Sequence, residues 1–214
     1  MFPPIGPFTL IIIIITSAVS IMSFNNSSLF NKFMLNPYQV YHRKEYYRVI
    51  SHAFLHADWL HLIVNMIVLY SFGTAIENHF RILETKGEMQ NPLIWYAALY
   101  IIGIIISSIP SIIKHKNNWN YNSVGASGAV SAVLFCCIFF YPTENVKLYA
   151  AIPIPSIIFG VLYLVYSKYM SKKSNDNINH DAHITGALFG LTFPIIIDYH
   201  YIQDFINQIL SVFN

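Results

Sequence analysis

A serine and a histidine, each set among small residues at the start of an apolar run, carry the clearest potential for covalent chemistry in this chain. Ser127 lies in Gly125-Ala126-Ser127-Gly128, and His183 in Ala182-His183-x-x-Gly186-x-x-x-Gly190. A hydroxyl becomes a useful nucleophile when a neighbouring imidazole takes its proton. Both groups are costly in hydrocarbon, so their placement asks for a functional reason and for a supply of water. A second pair, His61 and Asn65, is spaced four apart and projects from one helix face. Two such donors suit the oxygen of a tetrahedral intermediate and can complete an oxyanion hole begun by the nucleophile's own N–H. The plainer role for His61 and Asn65 is an interhelical polar clamp contributing about 1 kcal/mol, but the company of Ser127 and His183 favours the catalytic one.

Gly-x-Ser-Gly alone is a weak signal. It departs from the nucleophile elbow of α/β-hydrolases, because Ala129 stands where that motif has glycine and no strand precedes it. Glu77 falls at the far end of its span, and Asp181 points away from His183 on a helix. The chemistry expected is therefore a Ser-His dyad, its imidazole oriented by packing.

The elements that must position these groups are membrane helices. The chain has 214 residues, 55% hydrophobic and 10% charged, against roughly 25% charged in a soluble domain. A span needs roughly 20 mostly apolar residues, and six segments qualify: about 5–24, 59–80, 93–113, 126–142, 147–169 and 182–198. The fold expected is an all-α polytopic membrane protein with six transmembrane helices, one domain over 1–214. The second, fourth and sixth spans run in the same direction, so His61, Asn65, Ser127 and His183 all enter from one face and one cavity can hold them. Ala182, Gly186 and Gly190 form a small-residue ladder that lets the sixth helix pack backbone-close on the fourth, which offers Gly128 and Ala132.

Residues 1–24 read as a retained first span, since no Lys or Arg precedes the run and no clear cleavage site follows. Residues 25–58 are too polar to span and too apolar for a free linker, and are expected at the interface with Tyr38, Tyr41, Tyr46, Tyr47 and Trp59 at headgroup depth. Spans two to six fill 59–198, and 199–214 form an amphipathic tail on the membrane surface. Pro153 and Pro155 fall inside the fifth expected span, where they would ease bending. The net charge of +2 is scattered, with no basic stripe for a phosphate backbone, so nucleic acid is not an expected partner. Cys136 and Cys137 are adjacent and read as small core hydrophobes.

In these residues the chain resembles the rhomboid intramembrane serine proteases. The resemblance runs over nearly the whole chain: Tyr47-Arg48, His52, His56, His61-x-x-x-Asn65, Gly73, Glu77, Gly125-x-Ser127-Gly128 and Ala182-His183-x-x-Gly186-x-x-x-Gly190. It implies Ser127 as nucleophile, His183 as general base, and an oxyanion hole of His61, Asn65 and the Ser127 N–H. His56 would hold structure and water near the site, with Gly125, Gly128, Gly186 and Gly190 as packing support and Arg48 and Glu77 as scaffold. It implies transmembrane proteins as substrates, cleaved near the ends of their spans and commonly at small residues, the lipid bilayer as surroundings, and no cofactor or metal. Two positions depart from the family pattern. Tyr47 replaces a tryptophan, keeping an interface anchor. Ser131 stands where some members carry an aromatic stacked on the base histidine, so His183 is expected either to be less rigidly held or to be oriented by a hydrogen bond to Ser131.

The loops on the site face hold nine of the cations and the opposite loops three, Arg81, Lys86 and Lys147. That bias would put the site face in the cytoplasm, whereas the family's bacterial members open outward. The resemblance implies a multi-pass protein of a bacterial plasma or inner membrane. Two rival functions are a His-rich metalloprotein using His52, His56, His61, His180 and His183, and a noncatalytic protein that binds membrane helices. The first has no His-Glu-x-x-His motif and leaves Ser127 and the glycine ladder without a role.

Overall fold

The computed structural model describes residues 5–148, 152–173 and 178–211. Each of the six expected spans is a helix. The first is α1, Pro7–Phe24, begun by a proline in its first turn. The second is α5, Trp59–Val68, continued through a π turn, Leu69–Gly73, into α6, Thr74–Thr85. The third is α7, Pro92–His115, the fourth α8, Ser127–Phe140, the fifth α9, Ser156–Lys173, and the sixth α10, His180–Ile197.

By length and composition, α1, the continuous Trp59–Thr85 helix and α7 are suited to cross a membrane. α10 joins them if it is taken together with α11, Tyr201–Leu210, from which it is bent by 118°. α8 has 14 residues and is therefore about 21 Å long, about 9 Å short of a typical hydrocarbon layer. Every residue of α8 after Ser127 is buried, as expected of a helix that is apolar all round. It is the central post of the bundle, with α10 and α7 packed against it and against each other.

The α8–α10 contact is backbone on backbone. A Cβ added at Gly186 would lie 2.1 Å from the Gly128 carbonyl oxygen, and one at Gly190 would lie 2.1 Å from that of Ala132. No side chain larger than hydrogen fits at either position, so the ladder legible in the sequence is the seam of the fold.

Residues 25–58 are more ordered than an interfacial loop. They fold into α2, Ser27–Phe33, α3, Pro37–Arg43, α4, Arg48–Ser51, and a 3₁₀ turn, His52–Phe54. Asn26 and Asn36 cap α2 and α3, accepting from Leu29 N and Gln39 N. Arg48 is buried and donates to the carbonyls of Asn31 and Met34 at 2.9 Å each, drawing the segment into a compact cap. α3 and α4 lie on α7, while Tyr41, Tyr46, Tyr47 and Trp59 stay exposed. Leu35 and Ser123 exchange both backbone hydrogen bonds at 3.0 Å, tying this cap to the loop that leads into α8. At the other end of the bundle, the Glu77 carboxylate is buried and accepts from Phe8 N, Thr9 N and Thr9 Oγ1. It thus satisfies the first-turn donors of α1.

The fifth span is displaced from its expected bounds. Asn145–Leu148 and Ile152–Pro155 pair as a two-stranded antiparallel hairpin, β1 and β2, and the helix begins only at Ser156. Pro153 and Pro155 therefore lie in β2 and bend no helix; proline lacks a ladder donor and pushes the residue before it to extended geometry, which suits a two-stranded edge. Residues 149–151, which belong to the expected fifth span, and 174–177 fall outside the described residues, as do 212–214 of the tail. In α11, Tyr201 is buried and Phe205 stacks on Phe139 at 4.8 Å, while Ile202, Ile206 and Leu210 remain exposed.

Candidate active site

Three helix starts converge at one end of the bundle. Asp58 caps α5, its carboxylate accepting from His61 N at 2.8 Å. Asn179 caps α10, accepting from Ala182 N at 3.1 Å and donating to Ser111 Oγ at 2.8 Å, which anchors the start of α10 to α7. These caps fix His61 and His183 in the first turns of their helices. α8 is different, because its N-cap residue is Ala126 and no side chain caps it. Ser127 is its first residue, half-buried, with a first-turn N–H that has no intrahelical acceptor.

Gly125 brings these parts together. Its φ of +127° is a conformation that favours glycine. A Cβ there would lie 3.0 Å from His61 Nε2 and 3.7 Å from Ser127 Oγ, so the glycine is required by both backbone and space. His61 and Ser127 thus face one another across a position with no side chain. The Gly125 N–H donates to the His52 carbonyl at 3.0 Å, holding the turn against the cap.

His61, Asn65, Ser127, Gly128 and His183 border a single cavity of about 1140 Å³. Its lining also includes the polar side chains of Asp58, Lys114, Asn120, Asn122 and Asp181. On the far side of the seam, the Ala182 carbonyl oxygen lies 3.6 Å from where a Gly128 Cβ would be. The residues preceding His183 and following Ser127 are therefore in contact, and the two functional groups open on the same space.

The hydrogen bonds assign donors. The Ala57 N–H points at His61 Nδ1 at 3.5 Å, a long contact that makes Nδ1 the acceptor and leaves the proton on Nε2, toward Gly125. Asn65 Nδ2 donates one hydrogen to the His61 carbonyl at 2.9 Å; the second amide hydrogen remains for the cavity.

His56 does not border the cavity but stands behind it. Its Nδ1 is 2.9 Å from Ser20 Oγ, and its Nε2 lies 3.5 Å from the Ala126 N–H. With Ser20 Oγ donating to the Phe54 carbonyl at 2.9 Å, the consistent tautomer carries the proton on Nδ1. His56 therefore links α1 to the residue just before Ser127. Burial, and after it the nearby His61, push its imidazole down to about 3. Burial likewise pushes His52 down to about 4, and His52 Nδ1 lies 3.1 Å from the Arg48 carbonyl. Both rings are neutral parts of the scaffold. Among the described residues no three His, Cys, Asp or Glu side chains converge as metal ligands.

Of two expectations about the surroundings of His183, the one for Asp181 stands and the one for Ser131 changes. Asp181 turns outward, with its carboxylate bonded by Ser171 and 3.5 Å from Lys114 Nζ. Ser131 is hydrogen-bonded at 2.6 Å to the hydroxyl of Tyr163 on α9, not to His183. Tyr163 in turn stacks on His183, with ring centroids 6.1 Å apart and planes 28° from parallel. The small serine leaves room beside α8 that a ring from a different helix fills. Tyr163, Asp58 and Asn179 were all missed as site residues. Asp58 and Asn179 carry an ordinary N-cap signal ahead of their helices, whereas Tyr163 is one aromatic among many on an apolar run.

A family model described as the Rhomboid domain matches residues 43–199. Among curated proteins, the chain is 28% identical over 179 residues to RHOMBOID-like protein 12, mitochondrial, of Arabidopsis thaliana, covering 77% of this chain and 50% of that protein. It is 29% identical over 114 residues to Rhomboid protein 1, mitochondrial, of Saccharomyces cerevisiae, covering 50% and 28%. It is 25% identical over 177 residues to Rhomboid-related protein 1 of Caenorhabditis elegans, covering 78% and 44%. The chain spans half or less of the length of these relatives. Two of them are named as mitochondrial proteins and all three are eukaryotic, so they lend no support to a bacterial membrane.

Proposed function

Because the chain belongs to the rhomboid family, an integral multi-pass membrane fold, we propose that it is an intramembrane serine endopeptidase acting on transmembrane proteins. Ser127 Oγ attacks the scissile carbonyl carbon while His183 accepts its proton. The carbonyl oxygen, now an anion, receives hydrogen bonds from His61 Nε2–H, the second Asn65 amide hydrogen and the Ser127 N–H. The tetrahedral intermediate collapses as the C–N bond breaks and His183 passes the proton to the leaving amine. Water entering by the cavity then attacks the acyl-enzyme, giving up its proton to His183, which returns it to Ser127 Oγ. The products are a carboxylic acid and an amine, and the dyad is regenerated.

The observation that carries this reading is the cavity shared by Ser127, His183, His61 and Asn65. It is backed by the uncapped start of α8, which leaves an N–H for the oxyanion. α8 is short for a membrane span, and in this reading Ser127 lies below the membrane boundary, where an unwound end of another protein's span reaches it.

The test is labelling by a serine-directed fluorophosphonate probe in detergent, with Ser127→Ala as the comparison. Labelling of the native chain that is lost in Ser127→Ala is the expected result. Labelling that survives the substitution, or a native chain that is never labelled, rejects the protease and leaves a helix-binding role for the same fold.

A further inference from the structure

We infer that Tyr163 is the positioning residue for His183, so that the base of the proposed dyad is oriented from a third helix, α9, which carries neither catalytic group. The inference rests on the Ser127–His183 reading. Tyr163 borders the same cavity as His183, and its ring lies over the imidazole at 6.1 Å and 28°. That separation lies within the range in which aromatic planes favour one another. His180 also meets His183, edge-on at 5.7 Å, and is itself edge-on to Tyr166 at 5.9 Å. Tyr163 and Tyr166, three apart on α9, therefore meet His183 and His180, three apart on α10, at matching spacing.

Tyr163 is itself held. Its hydroxyl is paired with Ser131 Oγ at 2.6 Å, which satisfies two buried polar groups at once, and its ring packs against Phe135 at 5.5 Å and Phe159 at 6.3 Å. Ser131 lies one turn beyond Ser127 on the same face of α8. The chain of contacts therefore runs from the helix of the nucleophile, through Ser131 and Tyr163, to the plane of the base. An imidazole turns easily about its terminal torsion, and Asp181 is engaged elsewhere. A ring stacked on one face and an edge on another restrict that rotation and keep one nitrogen aimed into the cavity.

The consequence is a dependence of turnover, rather than of substrate affinity, on the ring at 163. A base displaced by about 1 Å loses on the order of 100-fold in rate. Tyr163→Ala is expected to slow fluorophosphonate labelling of Ser127 and to lower kcat on a cleavable transmembrane reporter by about 10–100-fold, with KM changed by less than about threefold. Ser131→Tyr added to Tyr163→Ala places a ring at the other end of the 2.6 Å contact, in the volume vacated, and is expected to recover at least about tenfold of the lost kcat. Recovery is what a structural role at 163 would not give. Tyr163→Ala with native kcat, or with a lowered kcat that Ser131→Tyr fails to restore, overturns the inference. Should Tyr163→Ala fail to fold in detergent, Tyr163→Phe and Tyr163→Leu are compared. Phe keeps the ring and is expected within about threefold of native, Leu at least about tenfold slower; equal rates overturn it. A native chain without Ser127-dependent labelling removes the protease itself, a different failure from a native chain that labels and is indifferent to residue 163.

Discussion

Asn65 divides its amide between two roles, one hydrogen on the His61 carbonyl at 2.9 Å and one toward the cavity. The first is a clamp within the helix and the second would be an oxyanion donor in the proposed reaction, and they predict different losses. Removing an oxyanion donor lowers kcat by about 100–1000-fold, whereas a polar clamp in a membrane bundle contributes about 1 kcal/mol. Asn65→Ala is therefore expected to reduce reporter cleavage by on the order of 100-fold while moving the thermal midpoint only slightly. Lost stability with native turnover would leave Asn65 as a clamp alone. The spacing of His61 and Asn65 made this pair legible from sequence, because a four-residue interval has one meaning on a helix. The role of Ser131 was not legible, since its partner lies 32 residues away on another helix.

Among the helices, the α8–α10 seam is the contact with the least freedom. The Cβ of an alanine at 186 would meet the Gly128 carbonyl at 2.1 Å, an atom of the backbone that cannot swing aside. At Gly160 on α9, the nearest atoms are the ends of Ile138 and Phe135 side chains, at 3.1 and 3.3 Å. Overpacking of a tight core costs about 1–3 kcal/mol, and more where nothing relaxes. Gly186→Ala is expected at or above the top of that range and Gly160→Ala near its bottom, read as thermal midpoints in detergent. Similar shifts for both would mean that α10 is not wedged on α8. Gly186→Ala should also slow labelling of Ser127 in whatever fraction stays folded, because the same seam sets the distance between the two functional groups. The glycine ladder marks a close contact in sequence, and the small residues of α8 name the partner. What no pattern announced was the hairpin of Asn145–Leu148 and Ile152–Pro155. An apolar run with two prolines reads as a span until the pairing of Asn145 with Pro155 shows where the donors go.

For the molecule as a whole, two buried neutral histidines set a pH dependence. An ordinary imidazole titrates near 6.5, and burial pushes His52 and His56 down to about 4 and about 3. As pH falls below about 6.5, the unfolded chain takes up protons on these rings while the folded chain resists until about 4 and then about 3. Their contribution to stability is thus fully present above 6.5 and is lost through that window. The thermal midpoint in detergent is expected to be lower at about pH 4.5 than at about pH 7.5, and equal midpoints would mean that the cap holding Gly125 and Ala126 opens without cost. The His56 ring and the His52 carbonyl brace the turn that leads into Ser127, so activity should fall over the same window.

The sequence by itself determined the class of the molecule and the chemistry it offers. A chain this poor in charge has no soluble surface, so its apolar runs become helices in a membrane. Helical periodicity then put His61 with Asn65, and the glycines of 182–190 against small residues of the fourth helix. Tertiary structure alone decided what surrounds those groups. It made α8 a short helix surrounded on all sides, drew residues 25–58 into a cap braced by Arg48 and His56, and gave His183 its stacking ring from α9. The physical reason is range: periodicity reports which residues share a face within one element, and a ring stacked on an imidazole 20 residues distant leaves no trace in either segment.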